Sequence, residues 1–196
     1  LTDKIKQREK LNLPKDKFTI TIMEGGYGNG RLKTMCEMLT KLDIPITIIA
    51  ICGKNPELEE YLRTIKTNPN ITFIPFGYCP NGVDYIAASD LFLGKSGINV
   101  VNECCYFNVP AIITSYTNFI EQFNGEYYIK YIGNAQRIHN VKKIVKAVEM
   151  YAKNPSLLDS YVKNCEKAKD NFGSEKAADY LYQLIEEKFS SKYFSL

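Results

Sequence analysis

Tryptophan is absent from this 196-residue chain and histidine occurs once. No apolar run approaches the roughly 18 residues that cross a bilayer as a helix, and no signal-peptide pattern is visible. His139 has no acid or nucleophile beside it in sequence, so it reads as a core or surface residue. With one histidine, a zinc site is not expected. Cys36, Cys52, Cys79, Cys104, Cys105 and Cys165 form no CxxC pair and no regular framework. Several stand in apolar runs, where a thiol packs as a small hydrophobe. A reducing, cytoplasmic setting is the expectation. The chain opens on Leu1 rather than Met, which reads as a piece of a longer protein.

Charge of one sign is also scarce. The net charge is +3, and residues 1–17 carry all of it: Lys4, Lys6, Arg8, Lys10, Lys15 and Lys17 face only Asp3, Glu9 and Asp16. The remaining body is neutral, which argues against a nucleic-acid partner, since that needs a broad basic face. The leader reads either as a solvated helix or as a contact with an anionic membrane surface.

What the chain does have is alternation. Phe18–Met23, Pro45–Cys52, Ile71–Phe76, Asp90–Gly94 and Pro110–Thr114 are apolar, β-rich runs. Segments with helical spacing separate them, such as Leu32, Met35, Cys36, Met38 and Leu39. Past residue 130 the pattern fades into helices: one from Asn140 to about Tyr151, one from Asn154-Pro155 with Leu158, Tyr161, Val162, Cys165 and Phe172 on its apolar face, and a last from Ser174 through Ile185. Strands alternating with helices predict an α/β fold, a doubly wound parallel sheet with extra C-terminal helices. The organisation reads as a basic lead-in helix (1–16), a ligand-binding domain (17–172), and a terminal helix and tail (173–196).

Four stretches fall beyond the carboxyl ends of these strands, the edge at which such sheets bind ligands. Gly25, Gly26 and Gly28 break the spacing of a dinucleotide fingerprint, the second strand ends without an acidic residue, and no Gly-Lys-Ser/Thr follows the cluster. The cluster is either a tight turn or a loop that offers backbone to a ligand. Phe76-Gly77-Tyr78 is either a plain strand-ending turn or a platform for a flat base. Lys95-Ser96-Gly97-Ile98-Asn99 opens a helix whose free N–H groups favour an anion, and Glu103 lies about 9 Å further along its axis. That suits the diphosphate and ribose diol of a sugar nucleotide; the alternative is a capped helix with an exposed glutamate. Glu121, Gln122 and Asn124 read as a polar loop entering a helix, or as contacts for several sugar hydroxyls at once. Cys104-Cys105 reads as the core side of a helix.

Taken in this order, these motifs resemble the C-terminal domain of GT-B-fold glycosyltransferases. The likeness is to the monogalactosyldiacylglycerol synthase and processive diacylglycerol glucosyltransferase group, and more broadly to the transferase that adds N-acetylglucosamine to the peptidoglycan lipid precursor. It runs from Arg8-Glu9-Lys10-Leu11-Asn12-Leu13-Pro14 through Met23–Gly28, Cys52–Asn55, Phe76–Tyr78, Ala87–Leu91, Lys95–Glu103, Pro110, and Glu121 with Asn124, to the tail from Asn154-Pro155. The resemblance implies a UDP-sugar donor site that needs no metal or other cofactor. Phe76, Gly77 and Tyr78 would hold uracil, and Glu103 the ribose. Ser96, Gly97, Ile98 and Asn99 would offer N–H groups to the diphosphate, with Gly25, Gly26 and Gly28 opposite and Glu121, Gln122 and Asn124 at the hexose. It further implies an inverting hexosyltransferase of glycolipid synthesis, peripheral to the cytoplasmic membrane face, with a lipid acceptor such as diacylglycerol. The acceptor site and catalytic base would lie in an N-terminal domain, so this chain alone would bind a donor without transferring it. The terminal helix would cross to that domain. A donor-binding subunit of a two-chain enzyme and a non-catalytic binding module are the rival readings. The chain departs from the family pattern at Ile98, Val100 and Ile120.

Overall fold

The computed structural model describes residues 3–28, 30–169 and 173–193. Its centre is a parallel sheet formed by β1 (Phe18–Met23), β2 (Ile46–Ile51), β3 (Thr72–Phe76), β4 (Leu91–Lys95), β5 (Ala111–Ser115) and β6 (Ala135–Arg137). The order is β3-β2-β1-β4-β5-β6, so the chain winds outward one way from β1 and then the other way from β4. The crevice of such a sheet opens at this reversal, between β1 and β4. β2 is buried at every residue, as its unbroken run of β-formers requires of a central parallel strand.

Five strands fall within a residue or so of their expected positions. β4 begins and ends one residue later than expected, so Lys95 belongs to the strand, and a register shift marks Gly94/Lys95. β6 is a correction: helices were expected throughout this region. Three residues ending in Gln136-Arg137 carry too little apolar signal to read as a strand, and the edge of β5 supplies the pairing.

One face of the sheet is covered by α2 (Gly30–Leu39), α3 (Pro56–Arg63) and α7 (Val141–Lys153), packed on Ile20, Ile22, Ile46, Ile48, Leu91 and Leu93. The other carries α4 (Gly82–Ala87), α5 (Ile98–Tyr106), a π turn at Tyr128–Ile132, and α8 (Asp159–Ala168), around Phe92, Val101, Ile113, Tyr128 and Cys165. Between β5 and the π turn lies α6 (Phe119–Tyr127). The alternate residues of each strand thus feed two cores. Cys36, Cys52, Cys104, Cys105 and Cys165 are buried free thiols and Cys79 is half-buried. Asn154 does not cap a helix directly: a short 3-10 turn, Pro155–Leu158, precedes α8. Phe172 lies outside the described residues.

The lead-in helix is solvated on one side and docked on the other. In α1 (Lys4–Lys10), Gln7 and Arg8 are buried. The Arg8 guanidinium donates to the carbonyls of Ala88 (2.9 Å), Lys15 (3.1 Å) and Lys17 (3.3 Å), and pairs with Asp90 at 2.6 Å. Gln7 donates to Asp84. A guanidinium out of water needs such a full set of acceptors. The last helix, α9 (Ser174–Tyr193), extends well past Ile185. Ser174 is its first residue rather than its cap, and the carbonyl of Gly173 accepts from Ala177 N–H. Residues 174–188 are exposed almost throughout.

Candidate functional site

At the carboxyl edge, the glycine loop after β1 is stapled to the end of β2. The Gly26 carbonyl accepts from the Lys54 N–H at 2.7 Å. Gly53 sits at φ +63°, and a Cβ there would overlap that same carbonyl oxygen. Gly28, at φ +56°, lies against the Cys52 carbonyl, 2.8 Å from where its own Cβ would stand. Both positions therefore need glycine for conformation and for close approach. Gly25 rests against the Lys95 side chain, whereas the missing side chain of Gly26 faces open space.

Next to it, β3 ends in Phe76, whose ring packs at 4.8 Å on Tyr85. The vacant side-chain position of Gly77 is filled by the Glu59 carboxylate from α3, itself paired with Arg63 at 2.6 Å. Tyr78 is exposed, with the Lys54 ammonium 5.9 Å from its ring centre.

Beyond β4, Gly97 is the N-cap of α5 and no side chain caps that helix. The first intrahelical bond runs from Val101 N–H to the Gly97 carbonyl (3.1 Å). The N–H groups of Ile98, Asn99 and Val100 are therefore left over at the positive end of the helix. By contrast α3, α6 and α7 each have an asparagine cap, from Asn55, Asn118 and Asn140. Ile98 and Asn99 are exposed. Ser96 is buried, and its hydroxyl donates to the Glu121 carbonyl at 2.6 Å, so only its backbone is free to meet a ligand. Glu103 is half-buried, and burial alone raises its carboxyl above the ordinary value. Its side chain makes no hydrogen bond or ion pair among the described residues.

The stretch after β5 is a helix rather than a loop, and this sets Gln122 apart from the other two residues read there as one group. Glu121 is in the first turn of α6. Its Oε1 meets Lys95 Nζ at 2.8 Å, its Oε2 accepts from Thr117 N–H at 2.6 Å, and its own N–H donates to Asn118 Oδ1. Burial pushes this carboxyl up, but the Lys95 and Thr117 hydrogen bonds outweigh it and the net shift is downward. Gln122 is exposed and Asn124 is buried. On a helix Glu121 and Asn124, three residues apart, share a side, whereas Gln122 points away from it. Asn118, three residues before Glu121, is the capping-box spacing that could have revealed this in the sequence.

Sequence reasoning missed two further groups. Glu24, only 3% exposed, directly follows β1 and reaches across Gly94 to accept from the hydroxyls of Thr114 and Ser115. A charged residue closing an apolar strand was its only signal. Arg31 donates to the His139 carbonyl (2.5 Å) and approaches His139 Nε2 (3.2 Å), while Nδ1 lies 3.2 Å from the Thr114 carbonyl. A carbonyl only accepts, so the Thr114 contact calls for a proton on Nδ1. His139 is thus a surface residue that joins α2 to the end of β5. Among the described residues no group of three or more His, Cys, Asp or Glu side chains converges to hold a metal, and no helix is long and apolar enough to cross a membrane.

The edge thus collects a stapled glycine loop, an aromatic-flanked glycine, an uncapped helix N-terminus and an unpartnered carboxylate. Comparison with known proteins agrees with this architecture. The sequence is 22% identical over 178 residues to a processive diacylglycerol beta-glucosyltransferase of Bacillus subtilis (strain 168), covering 81% of this chain and 46% of that protein. It is 30% identical over 124 residues to the UDP-N-acetylglucosamine--N-acetylmuramyl-(pentapeptide) pyrophosphoryl-undecaprenol N-acetylglucosamine transferase of Thermosipho melanesiensis, covering 62% of this chain and 33% of that protein. The chain therefore spans less than half the length of these relatives. Its fold is shared with Os79 from O. sativa, solved in complex with UDP, at a TM-score of 0.61 and 14% identity over 81% of this chain and 37% of that one. The sequence model of the glycosyltransferase family 28 C-terminal domain matches residues 29–189. The chain belongs to that family, and its parallel sheet is the Rossmann-like half of a GT-B glycosyltransferase.

Proposed function

We propose that this chain binds the UDP-sugar donor of an inverting hexosyltransferase whose acceptor is a lipid such as diacylglycerol. The observation that carries the reading is the uncapped N-terminus of α5 with Glu103 on the same helix. The leftover N–H groups of Ile98, Asn99 and Val100 suit a diphosphate, and a half-buried carboxylate lacking a protein partner suits the two donor hydroxyls of a ribose. Phe76, Gly77 and Tyr78 flank the place for the base, and the open side of Gly26 faces the cleft. Gln122, exposed beside the Lys95–Glu121 pair, is the group on α6 best placed for the hexose.

In the reaction, the acceptor hydroxyl attacks the anomeric carbon as the bond to the diphosphate breaks. Negative charge gathers on the departing UDP, where fixed N–H groups and the helix dipole stabilise it without a metal. The acceptor's proton goes to a base outside this chain, in a second domain at the cytoplasmic face of the membrane. This chain alone binds donor and does not turn it over.

The names of the relatives and the UDP of Os79 support the donor class. The test is a thermal-shift and calorimetry series with UDP, UDP-glucose, UDP-galactose, UDP-N-acetylglucosamine and NAD. Stabilisation by the uridine compounds is expected. Stabilisation by NAD alone, or by none of them, refutes the reading.

A further inference from the structure

Cys105 on α5 and Cys165 on α8 lie where these two helices pack on each other, and both are fully buried. The Cys105 Sγ points at α8, 4.0 Å from the carbonyl of Cys165. Its thiol also donates to the Cys165 sulfur. That sulfur has a second donor, Asn134 Nδ2 at 3.4 Å, from the stretch between the π turn and β6. Asn134 is 1% exposed, and its Oδ1 has no hydrogen-bond partner among the described residues. A buried amide oxygen left without a donor is costly and rare. Here it belongs to the same side chain that holds a sulfur, so an unfilled acceptor stands beside a thiol.

The other cysteines lack this setting. Cys36 and Cys52 lie in the core on the opposite face of the sheet, and neither thiol makes a hydrogen bond among the described residues. Burial pushes the thiols of Cys36, Cys52, Cys79 and Cys104 up. Donation to its neighbour, together with burial, does the same to Cys105. At Cys165 the sign reverses. The Cys105 S–H and the Asn134 N–H, with the ammonium groups of Lys169 and Lys4, outweigh burial and hold this thiol below its ordinary value. A thiol that ionises early, with a second thiol beside it, has both parts of a reversible redox pair. The way in is short. Asn164, next to Cys165, ties α8 to the Gly133 carbonyl at 2.8 Å. It also lines a hollow of about 210 Å³ with Tyr131, Ile132, Lys167 and Ala168. A local opening of this turn admits a molecule as small as hydrogen peroxide.

We infer that Cys165 and Cys105 are a dithiol that a hydroperoxide converts to an intrachain disulfide, tying α8 to α5. The Cys165 sulfur attacks one peroxide oxygen and the O–O bond breaks. Sulfur is oxidised to sulfenic acid, and the other oxygen leaves as water with the thiol's proton. Asn134 Oδ1 accepts from the new S–OH group and holds it in place. Cys105 then attacks the Cys165 sulfur, the S–O bond breaks, and a second water leaves with the Cys105 proton. Two thiols and one peroxide thus give one disulfide and two waters. Both thiols are free in the structure, which is the reduced state of the pair.

The test treats the reduced, folded chain with hydrogen peroxide, alkylates the remaining thiols and maps the peptides by mass spectrometry. Peptides joined through Cys105 and Cys165 should appear before Cys36, Cys52 or Cys104 is modified, and dithiothreitol should release them. In Cys105→Ser the sulfenic acid should persist at Cys165 and be trapped by dimedone. Asn134→Ala should slow formation of the link roughly tenfold, with circular dichroism and melting temperature confirming that both variants are folded. A link through other cysteines overturns the proposal. So does oxidation of the pair only when the chain is unfolded in urea. No nucleotide enters the experiment, so its outcome is separate from that of the donor reading.

Discussion

Replacing Glu103 by glutamine removes one charge while leaving the shape of α5 intact. In the proposed complex two ribose hydroxyls donate to this carboxylate, and hydrogen bonds to a charged group contribute about 1.5–3 kcal/mol each. Glutamine keeps one acceptor oxygen, now neutral, and turns the other into a donor that meets a hydroxyl poorly. A net loss of about 2 kcal/mol follows, or roughly 30-fold in Kd. Calorimetric titration with UDP near pH 7.5 reads this directly, with Glu103→Asp as a charge-preserving control. Because burial raises the Glu103 carboxyl, the free protein begins to take up its proton above the ordinary value of 4.5. UDP affinity should fall as pH is lowered into that range, and this component should vanish in the glutamine variant, leaving only the titration of the nucleotide's own phosphate. The same shift fixes the sign for stability. A carboxyl whose folded pKa exceeds its unfolded one favours the fold below the unfolded value and loses that contribution as pH rises through the folded one. The ligand-free Glu103→Gln chain should therefore be at least as stable as wild type at pH 7, which rules out unfolding as the cause of weak binding. An unchanged Kd at pH 7.5 refutes the assignment of Glu103 to the ribose.

Other outcomes follow from the same geometry. Arg8→Met takes from the Asp90 carboxylate its nearest cation, leaving it the Thr19 N–H at 2.8 Å and Lys4 at 3.9 Å, and frees three carbonyls; breaking a buried pair costs about 3–5 kcal/mol, and with those partners kept the low end applies, a drop of roughly 6–12 °C in Tm by calorimetry for a chain of this size. Gly53→Ala combines a left-handed conformation with a clash on the Gly26 carbonyl, so it should lower Tm and weaken UDP binding together, whereas Gly26→Ala should leave Tm nearly unchanged. Lys95→Met removes the ammonium that helps hold the Glu121 carboxyl low. The wild type should lose stability as pH falls below about 4.5, and urea titrations should find that loss smaller in the variant.

The sheet was readable because parallel strands buried on both faces appear as unbroken β-rich runs between glycines and prolines, as in Pro45–Cys52. β6 was not, since an edge strand of three residues borrows its register from β5. The uncapped helix start at Gly97 and the carboxylate six positions later were legible as local spacing on one helix. What stayed hidden was every contact made across the fold. Arg8 looks like one more leader cation until Asp90 comes within 2.6 Å. Glu121 looks free for a sugar until Lys95 arrives from β4, and Glu24 shows no role until Thr114 stands beside it. Charge in sequence gives no measure of burial; only the partner does.

The Arg8 clamp also bears on the order of folding. The acceptors of its guanidinium come from residues 15, 17, 88 and 90, so the lead-in has no complete seat until β1 and β4 have paired and the turn at Ala88 has closed. Synthesised before the strands that seat it, it docks late, after more than eighty further residues have emerged and the slow, long-range pairing of parallel strands is done. Arg8 contacts should accordingly lie on the unfolding side of the barrier: their removal should speed unfolding while leaving the refolding rate nearly constant.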